Sequence, residues 1–301
     1  MHYAIGDVHG CFHELMKLIK KIEREDKNAE FILIGDVIDR GPDTPAVLDW
    51  CMQHITPNGK YQMLMGNHEL MFMEWCSREW FPYCEGKKDS YEHAHYHTDE
   101  DLKRTGNLTE QKVREIFLFF RRLPIVKEKE VISPDGKQKV VLAHAWAKKE
   151  EMDQLRSGSK RPKEFWKTFL LDRAGIEKNA AYDPEGSEIL IHGHTPTTNT
   201  AVYENGGVPG RIVYRKHAVN IDCGLSHGSE NYDIPANLAA ICLENLKEYY
   251  ACTLEECYAN MDLGGAETVK RAVAAYKQKY HYSRPDMMRL SLVKQINGAK
   301  L

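Results

Sequence analysis

Five polar clusters, each directly after a short apolar run, constrain this chain more than any other feature. Three of them read GDVHG at residues 6–10, GDVIDRG at 35–41 and GNHE at 66–69. The other two are His144 after VVLA and His194 within IHGHTP. The first three clusters lead into residues with helical spacing, and this repeated order predicts an α/β fold. Ligands of open α/β sheets collect where strands end, so the clusters are candidate site loops.

The remaining pattern predicts how the chain is divided. Residues 1–252 form the predicted main domain, with an aromatic, histidine-rich insertion or lid at 81–107, and 253–301 form a helical appendage. The turn signal Pro134-Asp135-Gly136 predicts a hairpin whose second strand delivers His144. The later strands are expected to form a second, largely antiparallel sheet, with candidates at 188–192, 211–214, 218–221, 238–243 and 249–252.

Composition excludes several classes of protein. The 301 residues are 42% hydrophobic, which is enough for a sizeable core, and the formal charge of −3 gives no electrostatic case for nucleic acid or an anionic membrane. No basic start followed by an apolar stretch marks a signal peptide, and no run approaches a membrane span. The 8 cysteines show neither CxxC spacing nor the density of a disulfide scaffold, so a cytoplasmic location is expected.

The residue types in the clusters suit a divalent cation. Asp7 and His9 offer a carboxylate and an imidazole from one loop, and Asn67 offers a neutral carbonyl oxygen. Taken singly, an Asp-x-His loop is more often a turn, a Gly-Asp loop a capped turn, and a histidine at a strand end an ordinary surface residue. Five such loops in one chain favour a shared site.

Together the clusters resemble the calcineurin-like metallophosphoesterases, and more narrowly their phosphoprotein-phosphatase branch with its bacterial and phage members. The motifs occur in family order over residues 1 to 225. The resemblance implies a four-layer α/β/β/α sandwich with two central mixed β-sheets. It also implies two transition-metal ions, manganese, iron or zinc, with Asp7 and His9 on the first, Asp36 bridging, and Asn67, His144 and His194 on the second.

The same resemblance implies the residues that act on the phosphate. His68 would be the proton donor, oriented by Asp39, because a carboxylate on one ring nitrogen fixes the tautomer and raises the basicity of the other. Arg40 would hold the substrate phosphate, beside Asn67, although a structural salt bridge is its alternative interpretation. Glu69 is expected to be a capping or supporting residue in the first turn of a helix.

One departure from the pattern bears on the substrate. Protein phosphatases of this branch usually carry an arginine just before Gly-Asn-His, where this chain has Met65. Lys167 or Arg173 are candidates for the missing positive charge, in the segment between His144 and His194.

Three functions follow as hypotheses. The first is a serine/threonine protein-phosphatase-like phosphomonoesterase, whose substrates would be phosphorylated proteins or small phosphate esters. The second is a symmetrical dinucleoside tetraphosphate hydrolase, favoured by Met65 and the aromatic insertion. The third is an inactive relative that acts as a binding scaffold, against which the complete ligand set argues. Nucleic acid and membranes are not expected partners, and the oligomeric state stays open.

Overall fold

The computed structural model describes residues 1–134, 136–178, 180–183, 186, 188–203, 207–226, 234–261 and 265–279. Its strands are β1 (His2–Ile5), β2 (Glu30–Leu33), β3 (Tyr61–Met63), β4 (Val126–Ser133), β5 (Gly136–Ala143), β6 (Glu188–His192), β7 (Val213–Arg215), β8 (Ala218–Asn220), β9 (Ala239–Cys242) and β10 (Glu248–Tyr250). The turn residue Asp135 lies outside the described residues, although the hairpin of β4 and β5 that it was predicted to join is present.

Twelve α-helices flank these strands in the described ranges. They are α1 (Phe12–Glu25), α2 (Thr44–His54), α3 (Asn67–Trp75), α4 (Phe81–Cys84), α5 (Thr98–Arg104), α6 (Glu110–Phe120), α7 (Lys149–Arg156), α8 (Trp166–Leu171), α9 (Ala174–Glu177), α10 (Thr200–Tyr203), α11 (Leu254–Asn260) and α12 (Ala266–Lys279). None of the described helices combines the length and the apolar character needed to cross a bilayer.

The first sheet has the strand order β10-β9-β1-β2-β3. Strands β1, β2 and β3 are parallel, whereas β9 and β10 are antiparallel additions at one side. The sequence placed these last two strands in the second sheet, and that prediction was wrong. Local pattern identifies a strand but not its neighbour, and here Gly6 extends the pairing of β1 with β9 by donating to Ala239 O.

The second sheet has the order β4-β5-β6-β8-β7. It is mixed rather than largely antiparallel, because β5, β6 and β8 run parallel. The physical reason is the connections: α7 to α9 lie between β5 and β6, and α10 lies between β6 and β8, and parallel neighbours require such crossovers. Both sheets therefore contain three parallel strands whose carboxyl ends share an edge.

Alternating side chains divide the core into layers. Tyr3 and Ile5 of β1 pack in a cluster with the helices α1, α2, α3 and α6, whereas Ala4 packs in the cluster between the sheets. On β5, Val140 faces that middle cluster and Val141 faces a third cluster with Trp146 and Phe169. Because strand side chains alternate between faces, these three clusters confirm the four-layer α/β/β/α sandwich.

The aromatic part of the insertion is mainly a packing element. Tyr91 of the insertion packs edge-on against Trp75 and Trp80, which precede it and are buried in the first cluster, with ring centroids 6.0 and 5.0 Å apart. The Trp75 indole N–H donates to Glu92 O at 2.6 Å. The tail begins with α11 and α12, where Tyr258 and Tyr276 pack in a small cluster of their own. Residues 262–264 and 280–301 of the predicted appendage lie outside the described residues.

Candidate metal centre

The five predicted loops meet at the facing edges of the two sheets. Two glycines allow this close approach, because a Cβ at Gly66 would collide with the Asp36 carboxylate and a Cβ at Gly193 would collide with that of Asp7. Glu69, at the start of α3, joins two of the loops: its carboxylate accepts hydrogen bonds from the backbone N–H of Asp36 at 2.9 Å and of Gly66 at 2.7 Å. This is the capping and supporting position expected for Glu69.

Strained backbone marks the same region. Of nine non-glycine residues with positive φ in the described part of the chain, five come from the predicted site loops. Left-handed non-glycine residues are costly and persist where the surrounding structure holds them, which is typical of functional sites. The five are His9, Asp36, Asp39, Arg40 and His194.

Asp36 is the residue around which the site is built. Its Oδ2 atom lies 3.3 Å from His144 Nε2 and 3.7 Å from both His9 Nε2 and His68 Nε2. Asp36 is accordingly shared by two sets of buried side chains whose donor atoms lie within 4.8 Å of one another. One set is Asp36 with His9 and His68, and the other is Asp36 with His144 and His194.

Asn67 completes the second set. Its Oδ1 atom lies 2.9 Å from His144 Nε2 and 2.8 Å from His194 Nδ1. The other ring nitrogen of His144 donates to Ile34 O at 3.0 Å, so in the neutral ring the Nε2 lone pair faces Asn67 and Asp36. His9 is held in the same way, with Nδ1 donating to Ile38 O at 3.0 Å.

Two further carboxylates border this centre. Asp7 accepts a hydrogen bond from the backbone N–H of His194 at 3.1 Å, and its other oxygen is buried without a hydrogen-bond partner among the described residues. Asp222 likewise has one buried oxygen with no such partner. Burial, and next the charge of Asp222, raise the pKa of Asp7 well above its ordinary value.

The residues fit a pair of cations. Lone pairs of carboxylates, imidazoles and an amide converge here, and cations shared between them would offset the cost of burying these groups. His144 illustrates this: burial opposes its charge, but Asp36 and Asp7 raise its pKa to about 9. Burial meanwhile lowers the pKa of the neighbouring His194 to about 2. A mixed nitrogen and oxygen set suits manganese, iron or zinc.

His68 stands apart because of its second partner. Its Nδ1 atom lies 2.6 Å from Asp39 Oδ2, and Thr98 Oγ1 donates to the other oxygen of Asp39. Burial opposes charging of the His68 ring, but Asp36 and Asp39 outweigh it and raise its pKa. The structure thus places the predicted pair Asp39 and His68 in direct contact beside Asp36.

The three basic side chains predicted to bind phosphate lie at different distances from the cluster. Arg40 Nη1 lies 3.5 Å from His9 Nε2, and the guanidinium lies 4.8 Å from the ring centroid of Tyr96. Arg173 is half-buried and donates to His194 O at 3.2 Å. Lys167 is exposed, and its amine lies 5.4 Å from the Trp166 centroid, so its described contacts lead to that ring and not to the cluster.

Sequence reasoning missed three residues at the site: Asp222, Tyr96 and Thr98. Asp222 follows β8, so its signal was a sixth polar residue directly after an apolar run, in the order AVNID. Tyr96 and Thr98 lie in the insertion, where no periodicity or motif pointed to the site. Only the fold brings them to Asp39 and His68.

A profile of the family described as calcineurin-like phosphoesterase matches residues 3–223, which include every residue of the cluster. The chain belongs to the calcineurin-like phosphoesterases. Members of this family are dinuclear metal-dependent enzymes, so the chain is a phosphoric ester hydrolase with a metal centre. The expectation of an inactive scaffold is not supported by this membership.

Curated relatives of this phosphoesterase are named for dinucleotide hydrolysis. An asymmetrical bis(5'-nucleosyl)-tetraphosphatase of Halalkalibacterium halodurans is 27% identical over 242 residues, which cover 74% of this chain and 85% of that protein. A symmetrical bis(5'-nucleosyl)-tetraphosphatase of Neisseria gonorrhoeae is 39% identical over 72 residues, which cover 24% of this chain and 25% of that protein. A cold-active protein-tyrosine phosphatase of a psychrophilic Shewanella is 16% identical, with 83% of this chain and 77% of that one covered and a TM-score of 0.48.

Proposed function

We propose that this phosphoesterase hydrolyses dinucleoside tetraphosphates. The observation that carries the proposed chemistry is Asp36, whose Oδ2 atom faces three histidine nitrogens within 3.7 Å beside the pair of Asp39 and His68. The choice of substrate is supported by the names of the two relatives. It is also supported by Met65, a buried apolar side chain where protein phosphatases carry a phosphate-binding arginine.

The ligand assignment starts from the two sets of donor atoms, reserves His68 for proton transfer, and adds Asp7 and Asn67 as the family resemblance implies. Asp7, His9 and Asp36 would hold one cation, and Asp36, Asn67, His144 and His194 would hold the other. When bound, two such ions supply a reactive hydroxide at neutral pH and neutralise phosphoryl oxygens. Manganese, iron and zinc all suit this set, and metal analysis of the purified protein identifies which is present.

His68 donates the proton to the leaving oxygen in this proposal. Asp39 holds Nδ1 of the ring, so Nε2 is the atom that faces the reacting group, and general acid catalysis of this kind contributes about 10²–10⁴-fold. His68→Asn is therefore expected to keep the metal stoichiometry and lose turnover by that factor. His54→Asn, an exposed histidine at the end of α2, is the matched control. Unchanged turnover in His68→Asn removes this residue from the mechanism.

The substrate preference is tested by comparing two classes of substrate. The metal-loaded protein is assayed on diadenosine tetraphosphate and on a phosphoserine peptide, and the values of kcat/KM are compared. A preference for the dinucleotide supports the proposal, and a preference for the peptide restores the protein-phosphatase hypothesis. The products report the bond: ADP alone indicates cleavage at the central phosphoanhydride, whereas ATP with AMP indicates asymmetric cleavage.

A further inference from the structure

We propose that the turn Tyr96–Thr98 of the insertion is part of the active site and positions both His68 and Arg40. This inference rests on the proposed role of His68 as proton donor. The first and last residues of the turn both contact site residues. Thr98 contacts Asp39, and Tyr96 contacts His68 and Arg40. The insertion is then a structural requirement of catalysis, and neither residue belongs to the five loops.

Thr98 acts through Asp39. Its hydroxyl is fully buried and donates to Asp39 Oδ1, while Asp39 Oδ2 binds His68 Nδ1 at 2.6 Å. Hydrogen bonds to both oxygens restrict rotation of the Asp39 carboxylate and so limit the orientations of the imidazole that it holds. Removal of the hydroxyl would leave a buried carboxylate oxygen without this donor and release the ring.

Tyr96 acts through its ring. The ring centroid lies 4.6 Å from that of His68 with an interplanar angle of 33°, and 4.8 Å from the Arg40 guanidinium carbon. The guanidinium is therefore held over an aromatic face, which limits the orientations that its fork of donors can take. Tyr96 is 38% exposed, so its ring lies between the buried site and solvent.

The backbone of the turn is held in a costly conformation. Tyr96 and His97 are consecutive left-handed residues with φ of 65° each, and neither is glycine. Asp99 stabilises the turn: it is buried, accepts from the backbone N–H of Ala94 at 3.0 Å and contacts His93 Nδ1 at 2.7 Å. Strain that is maintained by specific contacts beside reacting groups is typical of positioning elements.

The test for Thr98 uses two leaving groups. Phenyl phosphate requires protonation of its leaving oxygen, whereas 4-nitrophenyl phosphate does not. Thr98→Val, which removes only the hydroxyl, is expected to lower kcat about tenfold on phenyl phosphate and within about twofold on 4-nitrophenyl phosphate. Thr98→Ser is expected to restore the ratio. Equal losses on both substrates, or no loss, overturn the role of Thr98.

Thr105→Val is the matched control, because Thr105 directly follows α5 and its hydroxyl donates to Asp101 O and Leu102 O of that helix. Thermal unfolding of each variant distinguishes a positioning role from misfolding, since a destabilised protein loses activity on both substrates to the same extent. Failure of the two proposals is distinguishable. If His68→Asn shows the leaving-group dependence and Thr98→Val does not, only this inference fails. If His68→Asn shows none, the proposed mechanism fails.

The test for Tyr96 is a separation of KM from kcat. Tyr96→Ala is expected to raise KM for 4-nitrophenyl phosphate about two- to fivefold, the factor that corresponds to an exposed cation–π contact, with kcat within about twofold. Tyr96→Phe, which keeps the ring, is expected to restore KM. Tyr83→Ala is the control, because Tyr83 is also 38% exposed in the insertion but packs on Trp80 and Tyr91. An unchanged KM in Tyr96→Ala overturns the role of Tyr96.

Discussion

The two sheets contribute to the centre in different ways. In the first sheet, β1 and β2 each end in a glycine-bounded loop with two or more polar site residues, whereas the site residues after β3, Asn67 and His68, lie in the first turn of α3. In the second sheet, β5, β6 and β8 supply one site residue each, His144, His194 and Asp222. The first half therefore carries Asp36 and the proposed proton donor His68, and the second half adds two imidazoles and one further carboxylate.

Neither half is sufficient alone. Asp36 comes from the first sheet, and its nearest histidine nitrogen, on His144, comes from the second. The apolar cluster between the sheets, with Ile34 and Leu142, sets this distance. Cation binding and packing of the sheets should consequently stabilise each other, because ligands that exist only in the folded state couple binding to folding.

The largest effect is expected from breaking the one residue that both sets of ligands share. Asp36→Asn keeps the shape but removes the charge, so kcat/KM is expected to fall by more than about 100-fold, beyond the range for loss of a residue that only supports a ligand. Bound metal, measured by elemental analysis, should fall below two ions per chain. Asp49→Asn, an exposed aspartate paired with Lys112, is the control. Full metal content in Asp36→Asn would contradict a shared ligand.

The next largest effect is a loss of stability at low pH, which arises in the second sheet. Strand β6 ends in a buried histidine, His192, that is not in either set of donor atoms. Burial lowers the pKa of His192 from 6.5 to about 4. The unfolded chain takes up a proton in that interval while the folded chain does not, so stability is present above pH 6.5 and lost as pH falls toward 4. The loss amounts to up to about 3 kcal/mol.

Urea unfolding at pH 7 and pH 5, after a chelator has removed bound metal from the protein, measures this loss of stability. His192→Gln should reduce the difference between the two pH values, and His13→Gln, an exposed histidine on α1, should leave it unchanged. An equal pH dependence in His192→Gln and the parent protein would show that another group is responsible.

A third effect concerns the carboxylate that the second sheet adds. Burial raises the pKa of Asp222 to about 6, with the nearby charge of Asp36 acting in the same direction, so a cation would relieve its charge. Asp222→Asn is expected to weaken metal affinity about tenfold without loss of either ion at saturation. Titration of the metal-free protein with manganese measures the metal affinity, and an unchanged Kd would place Asp222 outside the centre.

The smallest effects are expected from Lys167 and Arg173, the two basic side chains proposed to bind phosphate from the segment between His144 and His194. Arg173→Ala should raise KM about two- to fivefold, since a partly exposed contact is worth under about 1 kcal/mol. Lys167→Ala should leave KM within about twofold. The reverse order would mean that Lys167 reaches the phosphate when substrate binds, in spite of its position on Trp166.

Local pattern was reliable where one chain segment determines the outcome. Strands and loops of the first half follow from apolar runs, glycines and helical spacing. The apolar run before Gly66 predicts a strand from Tyr61 to Met65, whereas β3 ends at Met63. The reason is tertiary, because Met65 N–H donates to Pro124 O and so leaves the sheet. The pairing of β9 with β1 and the parallel run of β5, β6 and β8 depend on which strands meet, and that is not encoded in any single run.

By itself, the sequence determined the α/β class, the five loops and, through the resemblance, the residues proposed to bind metal and move a proton. These follow from residues adjacent in the chain, which share one strand end or one helix turn. The resemblance already implied Asp36 as the shared ligand, and only the tertiary structure decided which donor atoms surround it and that Asp222, Tyr96 and Thr98 join the site. Such contacts join residues far apart in the chain, and their distances are set by how the two sheets and the insertion pack.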